Sequence, residues 1–442
     1  MKMNSLSMKQ IMAVGLMLFA LFFGAGNMIF PPLLGQEAGT NTVTAIIGFL
    51  ITGIGLPLLG VLAVAKTGDV QTMASRVHPV YGVIFTVVLY LVIGPFFAIP
   101  RTGTVSYEIG VLPFLSESAS RSQLPLVIFA IIFFTVTAWL AMNPSKLVDR
   151  IGKILTPALL IILSVLVVKS VLTPLGKPQS PAVAYTDDPF FKGFIDGYLT
   201  MDTLAALVFG IIVISSIKEL NITNGKMITK ICIQAGIIAA AGLAIVYIAL
   251  AFIGATSPEA IGVQENGGAI LSGAAKHLFG PFGSIILALT IFFACLTTSV
   301  GLVSSCAKYF SQLIPAFSYK VVVITFSVFS TVIANVGLTQ LIAFSVPVLI
   351  FLYPLAIVLI LLSFFHKVFN GYSLVYIGAL IPTGLISLVD GLKEAKLNVS
   401  TLVDALSFLP LFAEGIGWIT PAIAGAVVGY FIALITVGHT KQ

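Results

Sequence analysis

The residues most able to do chemistry are oxygen donors set among apolar neighbours. In Ala294-Cys295-Leu296-Thr297-Thr298-Ser299, the residues Ala294, Thr297 and Thr298 stand at i, i+3 and i+4, so a helix carries them on one face. Two hydroxyls and one backbone carbonyl on that face would form part of an all-oxygen site for a hard cation such as Na⁺. The opposing oxygens are offered by Ala20-Leu21-Phe22-Phe23-Gly24-Ala25-Gly26-Asn27-Met28-Ile29-Phe30-Pro31-Pro32. Gly24 to Asn27 make a poor helix interior, and Pro31 and Pro32 fit most easily in the first turn of a new helix. The stretch therefore reads as one span broken in two. The inner half, ending near Phe22–Gly24, leaves carbonyls for a cation. The outer half, beginning near Asn27, leaves N–H groups and a positive dipole end for a carboxylate. A zwitterionic amino acid with a coupling ion matches both. The competing explanations are close packing through small residues and hydroxyls bonded back to their own helix.

A second break lies at Gly193-Phe194-Ile195-Asp196-Gly197-Tyr198-Leu199-Thr200-Met201-Asp202-Thr203. Asp202 is ionisable at membrane depth, where such residues are costly and usually functional. It can receive a substrate ammonium, relay a proton, or cap a half-helix starting at Thr203; the cap is favoured, because Asp is among the best N-caps. Gly94-Pro95 predicts a kink. Arg101 with Glu108 at the end of the third span reads as an outer-rim pair or gate, with surface ion pairing favoured. Cys232, Cys295 and Cys306 sit in apolar runs and read as buried small hydrophobes. The four histidines lie apart with no metal spacing, and no nucleotide-binding loop or nucleophile–base grouping occurs, so an enzyme or an ATP-driven pump is not expected.

These residues must be positioned by membrane helices. Of the 442 residues, 58% are hydrophobic and 9% charged, where a soluble domain carries roughly 25% charge; mean hydropathy is +1.12. The apolar segments do not alternate as barrel strands do, so the fold class is all-α and polytopic. About twelve spans are expected, near 9–34, 41–65, 80–100, 124–142, 151–171, 190–217, 230–254, 280–306, 320–336, 339–365, 372–390 and 416–437. The stretch 402–412 is too short to cross and reads as re-entrant or interfacial. The run from Ile11 to Leu34 is too long for a signal-peptide core, so the first helix is expected to stay. The two broken spans are five apart, the separation of two inverted five-helix repeats. One transmembrane domain over 1–442 is expected, with repeats at 9–171 and 190–365 and two added helices at 372–437.

With the amino terminus inside, the cytoplasmic side holds 14 of the 22 basic residues, including Lys2, Lys66, Lys146, Arg150, Lys153, Lys218, Lys308 and Lys441, against only Asp69, Asp149 and Glu219. The positive-inside rule then puts both termini in the cytoplasm. The basic residues are scattered over loops, which argues against nucleic acid as a partner, and no obligate protein partner is implied. The lipid bilayer is the one partner composition demands.

Phe22-Phe23-Gly24-Ala25-Gly26-Asn27-Met28-Ile29-Phe30-Pro31-Pro32, Gly94-Pro95-Phe96-Phe97-Ala98-Ile99-Pro100-Arg101-Thr102 and Gly197-Tyr198-Leu199-Thr200-Met201-Asp202 resemble motifs of the bacterial branched-chain amino acid:cation symporters, the BrnQ type. The likeness extends over essentially the whole chain. It implies the fold of the sodium-coupled leucine transporters, a bacterial cytoplasmic membrane location, and uptake of leucine, isoleucine and valine driven by Na⁺, with no organic cofactor. It further implies a sodium site from the carbonyls of Ala20, Phe23 and Ala294 with the hydroxyls of Thr297 and Thr298. The substrate carboxylate would meet the backbone of Gly24, Ala25 and Gly26, and its ammonium carbonyls near Phe22 and the break at Tyr198, Thr200, Met201 and Asp202. Asn27 is placed for a second ion. Proton coupling or exchange of another solute on the same fold is the alternative, and an amino acid sensor or channel a more distant one.

Overall fold

The computed structural model describes residues 6–143 and 156–439. The first span opens on a reciprocal cap: Gln10 N–H donates to Ser7 Oγ at 3.3 Å while the Ser7 N–H donates to Gln10 Oε1 at 2.9 Å. Helix α1 (Met8–Phe22) then stops, and α2 (Ala25–Ala38) resumes beyond an extended Gly24 with φ −125° and ψ −154°. The outer half starts at Ala25, close to the expected start near Asn27, but the prolines are not in its first turn. Pro31 and Pro32 lie about two turns inside α2. Asn27 is in that turn, its Oδ1 accepting from Gly24 N–H at 3.1 Å. The prolines still have an effect: they cannot donate back to the carbonyls of Asn27 and Met28.

The second span is α3 (Thr42–Leu50) and α4 (Leu56–Thr67), joined by a π turn over Ile51–Gly55. The third is α5 (Pro79–Leu91) and α6 (Ala98–Gly110). Between them Gly94 leaves helical geometry at φ −87° and ψ −120°, the kink expected at Gly94-Pro95. The helix runs on to Gly110 rather than stopping near residue 100, which changes the setting of Arg101. Helices α7 (Leu124–Ala141) and α8 (Thr156–Leu172) follow; the predicted start of the fifth span at 151–155 lies outside the described residues. The sixth span is α9 (Pro189–Asp196), a 3₁₀ turn over Gly197–Thr200, and α10 (Asp202–Glu219), bent by 40°.

The remainder comprises α11 (Gly225–Thr256), α12 (Gly267–Phe279), α13 (Pro281–Leu313), α14 (Tyr319–Ala334), α15 (Leu338–Phe365), α16 (Ser373–Glu394), α17 (Ser400–Leu406) and α18 (Ile419–His439). Helix α17 covers part of the 402–412 stretch and buries none of its residues. Among the described residues, eight helices are long and apolar enough to cross a membrane, or nine with the bent pair counted as one span. Helix α1, Leu163–Leu172 and α14 are shorter apolar helices. The chain is thus an all-helical, polytopic membrane protein.

The broken spans exchange partners. Both halves of the first, α1 and α2, pack on α11, while α9 and α10 of the second pack on α3 and α4. That reciprocal pattern is what two related five-helix halves produce. Glycines allow the approach: a Cβ on Gly35 would fall 1.9 Å from the Ala251 oxygen, and one on Gly193 would fall 2.0 Å from that of Ala45. Of the charges used to orient the chain, Lys2, Lys146, Arg150, Lys153, Asp149 and Lys441 lie outside the described residues.

Candidate functional site

The two breaks meet. Asn27, held at the first break by its bond to Gly24 N–H, donates through Nδ2 to Asp202 Oδ2 at 2.5 Å. Tyr247 of α11 donates its hydroxyl to the same carboxylate oxygen at 2.8 Å, and the Asn27 amide also bonds that hydroxyl. One amide, one carboxylate and one phenol thereby tie the first, sixth and seventh spans together. Asp202 is not a cap. Helix α10 begins at Asp202 itself, its N-cap position is Met201, and the Asp202 N–H donates to Thr200 Oγ1 at 3.3 Å. Met201 is in the left-handed region at φ +67°, a conformation that costs a non-glycine residue about 1–2 kcal/mol. Such strain persists where the surroundings over-determine it, typically at functional sites.

The sixth-span break is braced from behind by the π turn of the second span. Thr52 donates to the Phe194 carbonyl at 2.7 Å, and Thr203 donates to the Thr52 carbonyl at 3.1 Å. A π turn leaves main-chain groups out of the regular ladder, and here Thr203 uses one of them.

Four of the five oxygens expected for a cation converge. Thr297 Oγ1 lies 2.9 Å from both the Ala20 and Ala294 carbonyl oxygens. Thr298 Oγ1 is 3.4 Å from the Ala20 oxygen and 2.9 Å from that of Leu21. The Phe23 carbonyl is not among the bonded oxygens; Leu21 supplies the additional one, and the Phe23 ring stacks on Phe19 at 5.4 Å. The set contains only neutral oxygens, and Thr297 is fully buried. That donor chemistry fits a monovalent hard cation.

A cavity of about 20 Å³ lies beside these oxygens, lined by Phe22, Gly24, Ala25, Gly26, Asn27, Thr200, Met201 and Asp202. Eight of the nine predicted substrate residues are therefore gathered. Tyr198 is elsewhere, stacked on Tyr353 at 4.3 Å between ring centroids and lining a separate pocket. Ala98, Ala205, Phe209 and Leu302 add an apolar wall, with Phe22 and Phe209 edge to face at 5.7 Å.

Arg101 overturns the rim-pair expectation. It lines the same cavity, is 3% exposed, and donates to the Leu199 carbonyl at 2.9 Å and the Thr200 carbonyl at 3.2 Å. Glu108 instead accepts from Leu338 N–H at 3.3 Å. Sequence reasoning ended the third span at Pro100 and so put Arg101 in water. The available signal was Thr102-Gly103-Thr104-Val105-Ser106, small residues that prolong a buried helix. Tyr247 was also missed; one tyrosine in an apolar span has no spacing that singles it out. The three cysteines are buried, as expected.

Broken helices meeting at a small polar cavity, with an oxygen cluster on the eighth span, define a membrane protein of the leucine-transporter-like fold. A solved nucleobase-cation-symport-1 family transporter, MHP1, in a closed conformation with bromovinylhydantoin bound, shares that fold at a TM-score of 0.61, with 16% identity over 97% of this chain and 93% of that one. MhsT in complex with L-phenylalanine aligns at 0.51, with 16% identity over 98% and 99%. The chain belongs to the branched-chain amino acid transport protein family, which matches residues 7–436. It is 55% identical to the branched-chain amino acid permease BraB of Bacillus subtilis over 99% of this chain and 98% of that one. The permease BrnQ of Escherichia coli K12 is 40% identical over 96% of each.

Proposed function

We propose that this protein takes up leucine, isoleucine and valine across the bacterial cytoplasmic membrane by alternating access, coupled to sodium. Family membership supports the substrate class, and the convergence of Thr297 and Thr298 with the Ala20 and Ala294 carbonyls carries the coupling reading. The ion is a transported partner of the substrate, held next to the break that binds it. The substrate carboxylate meets the N–H groups of Ala25 and Gly26 beside Gly24, whose own N–H is held by Asn27, and its side chain lies on Phe22, Ala98, Ala205, Phe209 and Leu302. An apolar wall separates side chains differing by one methylene by only ~1–3 kcal/mol, so the three amino acids compete for one pocket. Both termini face the cytoplasm.

Labelled leucine uptake into proteoliposomes tests this, with an inward Na⁺ gradient or matched choline. Concentrative uptake should require Na⁺ and be lost in Thr297→Ala/Thr298→Ala. A second reading, proton coupling, is favoured by the buried Asp202 carboxylate between Asn27 and Tyr247. Equal uptake in choline, driven by a pH gradient and abolished by Asp202→Asn, would replace sodium with protons.

A further inference from the structure

Arg101 is a buried positive charge on the third span; the Asp202 carboxylate lines the same cavity and attracts it, but does not bond it. No carboxylate lies within ion-pair distance of it among the described residues, where the ion pair formed is Lys192 with Asp196. Two carbonyls, of Leu199 and Thr200, accept from two of its five N–H groups, and the Phe30 ring lies under it at 5.5 Å. A buried charge with no carboxylate in contact is expensive, and intramembrane ions are retained where they bind something.

Its position says what. A Cβ on Gly26 would fall 2.7 Å from Arg101 Nη2, so the guanidinium lies directly on the N-terminal turn of α2. That turn offers free N–H groups to an anion. The cavity of about 20 Å³ between the breaks has room for roughly one water, so a leucine enters only if lining groups withdraw, and the guanidinium is the one lying on the α2 turn.

Resting on the branched-chain amino acid reading above, we propose that Arg101 clamps the substrate's carboxylate, and that in the closed arrangement seen here its guanidinium holds the carbonyls that the substrate's ammonium takes over. The two cations exchange places. Arg101 leaves Leu199 and Thr200, turns its planar fork to the carboxylate over Gly24–Gly26, and frees both carbonyls for the ammonium. A guanidinium suits this, because its fork matches a carboxylate in two parallel hydrogen bonds.

The test compares leucine with leucinamide, which keeps the ammonium and side chain but has no carboxylate. Wild type, Arg101→Gln and Arg101→Lys are reconstituted after gel filtration shows them monodisperse. Leucine uptake and its inhibition by leucinamide are then measured, with thermal-shift binding of both compounds in detergent. In Arg101→Gln the half-saturation for leucine should rise at least about tenfold, the scale of a charged hydrogen bond, while leucinamide binds as in wild type or better. Arg101→Lys should recover part of the preference, and it carries the test if Arg101→Gln does not fold. An unchanged leucine-to-leucinamide preference in folded variants, or an equal loss for both compounds, overturns the proposal. Wild type that takes up no leucine would instead remove the functional reading, and the binding comparison would still decide the clamp.

Discussion

At Gly24 the helix break and the oxygen cluster touch. A Cβ there would fall 2.6 Å from Thr298 Oγ1 and 2.9 Å from Thr298 Cβ. Neither atom can retreat without moving α13, because the hydroxyl is held by the Ala20 and Leu21 carbonyls. Gly24→Ala should therefore displace the Thr298 hydroxyl and raise the Na⁺ concentration for half-maximal leucine uptake. Overpacking of this kind costs about 1–3 kcal/mol, roughly 5- to 150-fold. Uptake measured against Na⁺ at fixed leucine checks it, and an unchanged half-saturation would separate Gly24 from the ion. The break itself was legible, because Gly24-Ala25-Gly26-Asn27 is a poor helix wherever it falls. Its exact register was not. Whether Leu21 or Phe23 turns its carbonyl to Thr298 depends on where α1 stops, which composition does not fix to within a residue.

Among the elements, the tightest contacts lie where the broken spans meet their partners. A Cβ on Gly254 of α11 would fall 1.9 Å from the Pro32 carbonyl oxygen of α2, whereas one on Gly225 at the start of α11 meets nothing within 4 Å. Gly254→Leu should lower the thermal midpoint of the purified protein and its folded yield, since main chain cannot give way as a flexible side chain does. Gly225→Ala should change the midpoint little. Equal midpoints for the two variants would mean that α2 is not held against α11. Element types followed from apolar runs, but boundaries moved where caps set them: Asn224, whose Oδ1 accepts from Met227 N–H at 3.2 Å, starts α11 at Gly225, ahead of the expected 230. Other departures were tertiary. Pro31 and Pro32 looked like a first turn but lie further inside α2. The third span ran past Pro100 because its later turns are buried among α13, α14 and α7 rather than leaving the membrane.

Across the whole molecule, a second, larger space lies further along α10 and α13 from the cavity between the breaks. Beyond Phe209 on α10 and Leu302 on α13, a vestibule of about 710 Å³ is lined by Asp69, Ser215, Lys218, Lys308 and Tyr309. Ser215 lies about 9 Å further along α10 than Phe209, and Lys308 donates to its hydroxyl. On the proposed topology, which puts Lys218 and Lys308 on the cytoplasmic side, this vestibule would be the cytoplasmic exit, with Phe22, Phe209 and Leu302 as the barrier between it and the substrate. Ser215→Cys reports on that assignment. Its background is silent, because Cys232, Cys295 and Cys306 are each 0% exposed. A membrane-impermeant maleimide should modify Ser215→Cys in inside-out vesicles and leave right-side-out vesicles unlabelled. Adding leucine with Na⁺ should change the labelling rate as the carrier cycles. Labelling from the outer face alone would invert the topology, and with it the direction in which the oxygen cluster releases its ion.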